Sequence, residues 1–100
     1  MNREKIELKA SLKAQDYTEN QIVKPTAFIK EIIEVETKYG DKTIIKLDDN
    51  DSIFMNAETN NRLIDKLGRN DEVWIGKAVR LTCERDKTFG KLMLVLTPIA

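Results

Sequence analysis

Histidine is missing from this chain, and cysteine occurs once, as Cys83. The first absence removes Ser-His-Asp triads, Cys-His pairs and the commonest metal ligand, which leaves acid-base work to carboxylates and lysines with nothing obvious to tune them. A lone cysteine excludes an internal disulfide and any zinc site built from paired cysteines. The expectation is a non-enzymatic protein without a cofactor. Long apolar runs are lacking too: nothing approaches the roughly 18 residues needed to cross a membrane. The first residues, "MNREKIELKA", alternate charged and apolar side chains, so no signal peptide is expected and the cytoplasm is the simplest location. There is no internal repeat and no low-complexity linker.

Net charge is absent as well, with 17 basic and 17 acidic groups, where nucleic-acid partners usually select a basic excess. Its distribution is uneven, however. Residues 1–24 hold five basic and four acidic groups, residues 25–76 seven and eleven, and residues 77–100 five and two. The last quarter is a basic island that could meet a polyanion while the acidic middle faces away.

What is present suffices for one domain: 100 residues, 41% hydrophobic and 34% charged, enough for one core and too short for two. Residues 1–20 read as an arm of uncertain form. Ile6, Leu8, Ala10, Leu12 and Ala14 alternate as in a strand, yet Ala, Leu, Lys and Glu favour helix. Residues 21–100 form the domain. Residues 22–36 read as a long first strand, with Ala27, Ile29, Ile33 and Val35 on one face and Phe28 and Ile32 on the other. Glu31 breaks that alternation and predicts a bulge, and Pro25 fits near a strand start or on an edge. Strands follow at 43–47 and 52–55, a helix capped by Asn56 runs from 57 to 67 and exits at Gly68, and strands at about 79–84 and 92–97 complete the chain.

The order is thus β-β-β-α-β-β, mainly β with one helix, which is the order of the five-stranded OB-fold barrel. An SH3-like barrel and an open sheet with one helix packed on it are the other architectures this order allows. The run "FMNAETNNRLIDKLGRNDEVWIGKAVRL", ending at Leu81, resembles small phage and prophage proteins in which an "LN..N" helix start precedes "G....(D/E).WIGK.V.L". The upstream "LKAQDY" resembles their "LKA.D", so the likeness covers most of residues 12–83; Met55 stands where that pattern has leucine. The resemblance implies an OB-fold domain of the single-stranded-DNA-binding type, in phage or prophage replication or recombination and hence in the host cytoplasm.

An OB fold binds its ligand on strands two and three and on the loops joining strands one to two and four to five. Here those loops are "TKYGDK" and "DKTFGK", each with an aromatic beside glycine in a basic turn. Lysines and arginines track the phosphates of a single strand, and aromatics stack on its bases. Lys38, Tyr39, Lys42, Lys87, Phe89 and Lys91 supply both kinds of group. Lys46 on the second strand, Lys77 before the fourth, and Arg80 and Arg85 along the fourth strand's outward face extend the basic strip. Phe54 and Trp74 are further stacking candidates, although Trp74 also suits a buried anchor between helix and strand. The partner expected is single-stranded DNA, or RNA, without a membrane.

Simpler roles exist for the same residues: glycine for turn geometry, the aromatic as cover for a barrel rim, lysines for solubility. Asn56 and Asn60, four apart, fit a cap and a helix-face amide better than base readout. "DDND" at 48–51 lacks the spacing of a calcium loop and reads as a solvated turn, and Cys83 as a small core residue. A second function reading is an assembly module on the same fold, a homo-oligomer formed through the N-terminal arm or strand edges.

Overall fold

The longest strand organises everything around it. In the computed structural model, which describes residues 10–38 and 40–99 and at position 37 the backbone alone, β1 (Ile22–Thr37) pairs through its second half with β2 (Gly40–Leu47) and through its first half with β4 (Ala78–Arg85). Strand β3 (Ser52–Phe54) adds to β2, and β5 (Leu92–Pro98) to β4. The result is one antiparallel sheet, ordered β3-β2-β1-β4-β5, with one α-helix among the described residues, α1 (Ala57–Leu67), between β3 and β4. The order β-β-β-α-β-β is the one expected. The sheet is not closed: β3 and β5 do not pair.

The bulge falls where Glu31 breaks the pattern. Ile29 pairs with Leu47, but Glu31 already pairs with Lys46, so one extra residue of β1 is accommodated there. Its consequence corrects the expected faces. Beyond the bulge the alternation is shifted, and Ile32, paired with Ile45, takes the core side alongside Ile29. Ile33, paired with Ile44, turns to the outer face, together with Val35. The β1–β4 register shifts on either side of Lys24, around Pro25, whose ring nitrogen has no hydrogen to donate.

Between sheet and helix lies a core of Ala27, Ile29, Ile45, Leu47, Ile53, Leu63, Trp74, Val79, Leu81, Cys83, Leu94 and Leu96. Helix α1 enters it through Leu63 and starts where Asn56 accepts the Thr59 amide at 2.8 Å. It ends at Gly68, at φ 92°, a left-handed backbone that a Cβ would strain.

Open sheet edges buried in protein must find other partners. On β5, the Asn56 amide donates to the Leu94 carbonyl at 2.7 Å, and the fully buried Thr59 hydroxyl accepts the Leu96 N–H at 3.1 Å. On β3, Ser52 donates its N–H to the Ser11 hydroxyl at 2.8 Å and accepts the Leu12 N–H at 3.0 Å. The described part of the arm is therefore docked on its own domain, with Leu12, Ala14 and Tyr17 packed against the core and a 3-10 turn at Ala14–Asp16. The expectations for residues 1–9 lie outside the described residues.

Candidate nucleic-acid interface

Paired residues of an antiparallel sheet share a face, which places Ile33, Ile44 and Phe54 in one row on the outer side of β1, β2 and β3. Lys46 and Lys42 flank that row, two residues to either side of Ile44 on β2. The alternation of β3 left open whether Phe54 or its neighbours face outward. Ile53 is in the core, and Phe54 is 43% exposed. The Lys42 ammonium stands 5.6 Å from the centre of its ring, within cation–π range.

The other aromatic, Phe89, sits on the β4–β5 hairpin. Asp86 shapes that turn: its carboxylate accepts the Thr88 N–H at 2.7 Å and its carbonyl the Gly90 N–H at 2.7 Å, while Gly90 takes φ 67°. The Arg85 guanidinium closes the loop on the Gly90 carbonyl at 2.6 Å. Held this way, Phe89 is 75% exposed, so it covers no rim. Lys87 and Lys91 stand exposed beside it, neither in an ion pair among the described residues.

Two grooves join these aromatics. One, of about 520 Å³, is lined by Lys42, Thr43, Phe54 and Asn60; the second, of about 530 Å³, by Arg85, Lys87 and Phe89. Both include Asn56 and Ala57, so the grooves meet at the start of α1. Lys42, Phe54, Arg85, Lys87 and Phe89 are thereby brought along one continuous surface. Lys38 is exposed in the β1–β2 turn, and Tyr39 lies outside the described residues.

Of the described expected residues, Lys38, Lys46 and Lys91 line neither groove, and Trp74, Arg80 and Lys77 do not join the surface. Trp74 is 3% exposed and donates its indole N–H to the Gly68 carbonyl at 2.9 Å, pinning the helix exit to the approach to β4. A ring so enclosed cannot stack on a base, and Trp74 leaves the set. Arg80 and Arg85 do not share a face, because the β4–β5 register is unbroken and residues five apart on a strand point oppositely. Arg80 reaches the Pro25 carbonyl at 3.5 Å, whereas Arg85 pairs with Glu19 at 3.3 Å. Lys77 is exposed next to the β1–β4 pairing, away from both grooves.

One ion pair in the second groove escaped sequence reasoning. Arg62 on α1 holds Glu84 on β4 with two parallel hydrogen bonds of 2.8 Å, and also reaches Thr97 at 2.8 Å and Glu58 at 2.9 Å. The Arg62 guanidinium, helped by the Thr82 hydroxyl, holds the Glu84 carboxyl below its ordinary range against the opposing effect of burial. Glu84 in turn raises Arg62. Of the acidic groups that line this groove with Lys87, Glu58 and Glu84 are held by Arg62, and Asp86 is hydrogen-bonded within the turn. No local sequence signal pairs Arg62 with Glu84, 22 positions away.

The "DDND" turn is tied down rather than merely solvated. Lys24 pairs with Asp49 and, at 2.9 Å, with Asp51; Lys30 reaches Asn50 at 3.2 Å, and Asp48 accepts the Phe28 N–H at 3.2 Å. Cys83 is fully buried in the core, and burial pushes its thiol up. No family model, no curated protein and no solved structure matches this chain, so what the grooves bind is argued from their own residues.

Proposed function

We propose that this chain is an OB-type domain, a partly open barrel, that binds single-stranded DNA without catalysing a reaction on it. The observation that carries the reading is the placement of two solvent-facing rings, Phe54 and Phe89, each beside exposed lysines, on grooves that meet at Asn56 and Ala57. Stacking on such rings contributes about 1–3 kcal/mol per base and tolerates any base. Lysines beside the rings meet the phosphates; near Lys87, Arg62 holds Glu84, while Asp86 keeps its negative charge within the turn. The outer face of β2 and β3 and the β4–β5 loop are also where an OB fold holds oligonucleotides. The likeness of residues 12–83 to phage and prophage proteins supports a role in replication or recombination.

Fluorescence anisotropy of labelled oligothymidine, at low and high salt and with duplex competitor, tests the proposal. Binding that weakens with salt and resists duplex competition is expected. Absence of binding at low salt would overturn it and turn attention to protein assembly, read by light scattering.

A further inference from the structure

Asn56 and Asn60 lie one helical turn apart, yet their amides have different fates. Asn56 is spent on the fold: its oxygen accepts the Thr59 N–H and its nitrogen donates to the Leu94 carbonyl. The Asn60 backbone N–H is satisfied by the Asn56 carbonyl at 3.0 Å. Its side-chain amide, half-buried, has no partner among the described residues. A helix-face amide with no structural task could point to solvent; this one lines the wall beside Phe54.

The groove has the dimensions and the chemistry of a small-ligand site. Its volume of about 520 Å³ falls within the range of pockets that hold small planar ligands. Phe54 offers an aromatic face, Asn60 a planar set of one acceptor and two donors, Lys42 a cation, and Asp41 an acceptor. A nucleobase presents a face to stack and an edge of adjacent donors and acceptors. A phosphate alone would leave the ring and the amide oxygen without a role.

Building on the nucleic-acid reading above, we propose that this groove seats one unpaired base, its face on Phe54 and its edge hydrogen-bonded by the Asn60 amide. Binding is then selective for the base at one position and tolerant at the others, where Phe89 stacks without reading an edge. Asn60 is the specificity-determining residue. Replacing its amide removes discrimination while leaving the phosphate contacts.

The test is competition binding with equal-length oligo-dT, oligo-dA and oligo-dC at one salt concentration. It compares the unaltered protein with Asn60→Ala and Asn60→Asp, each checked for native circular dichroism. The unaltered protein should separate the best from the worst oligomer by about tenfold, the order expected of a good bidentate base contact. Asn60→Ala should compress that spread to about twofold with an unchanged salt slope. Asn60→Asp, which replaces the amide donors by acceptors, should disfavour oligo-dT relative to oligo-dC. A spread that is flat in the unaltered protein, or identical in the variants, overturns the base-reading role while leaving nucleic-acid binding intact. Failure of every oligomer to bind overturns both.

Discussion

Lys42 and Phe54 are diagonal neighbours on the outer face of β2 and β3, with the ammonium 5.6 Å from the ring centre. At an exposed site such a contact contributes about 0.5–1 kcal/mol. Lys42→Gln is therefore expected to lower stability by no more than that in a denaturant titration. It should weaken oligonucleotide binding by a similar factor for every base composition, since an ammonium meets phosphate rather than a particular base edge.

Lys87 and Lys91 flank Phe89 without ion-pair partners among the described residues. Each phosphate neutralised on a single strand contributes roughly −0.7 to the slope of log K against log salt. The double variant Lys87→Ala, Lys91→Ala should flatten the measured slope by about 1.4. An unchanged slope would remove the β4–β5 hairpin from the binding path.

Arg62 and Glu84 tie α1 to β4 through two parallel bonds, and hydrogen bonds between charged groups contribute about 1.5–3 kcal/mol each at most sites. Arg62→Ala should destabilise by about 1–3 kcal/mol, the shared geometry keeping the sum below two full bonds. The Glu84 carboxyl is held below its ordinary value of 4.5. Its contribution is therefore complete above that pH and is lost as pH falls through the lowered folded value. Melting curves at acid pH should show Glu84→Gln less sensitive to acidification than the unaltered protein. Asp49, held down by Lys24, keeps its own acid dependence in both.

Thr59 is fully buried, and its hydroxyl accepts the Leu96 N–H on the open edge of β5. Thr59→Val keeps the volume and removes the oxygen, leaving a buried donor unsatisfied at a cost of about 1–3 kcal/mol. The expected result is a lower urea midpoint with an unchanged m-value.

Local signals were legible in the sequence, and long-range ones were not. The helix at Ala57–Leu67 could be read from Asn56, the repeat of Ile64 and Leu67, and Gly68, because caps and periodicity act within a turn or two. Glu31 marked the bulge for the same reason. The shift that sends Ile32 inward and Ile33 outward depends on how the register of β1 against β2 absorbs the extra residue, which composition does not encode. Arg62 and Glu84 are 22 positions apart, and nothing local pairs them. Trp74 was readable as an anchor from its place between helix and strand, while the outward turn of Phe54 needed the β2–β3 register. The edge contacts of Ser11 with Ser52 and of Thr59 with Leu96 were invisible because they exist only where β3 and β5 fail to pair.

The most direct test of the central claim is the affinity of Phe54→Ala, Phe89→Ala and the double variant for one oligothymidine long enough to span both grooves. Both rings are substantially exposed, so each variant should fold. Each single change should weaken binding by about 5- to 150-fold, the stacking contribution of one base, and the double variant by more than either. Affinity indifferent to both substitutions would contradict the account.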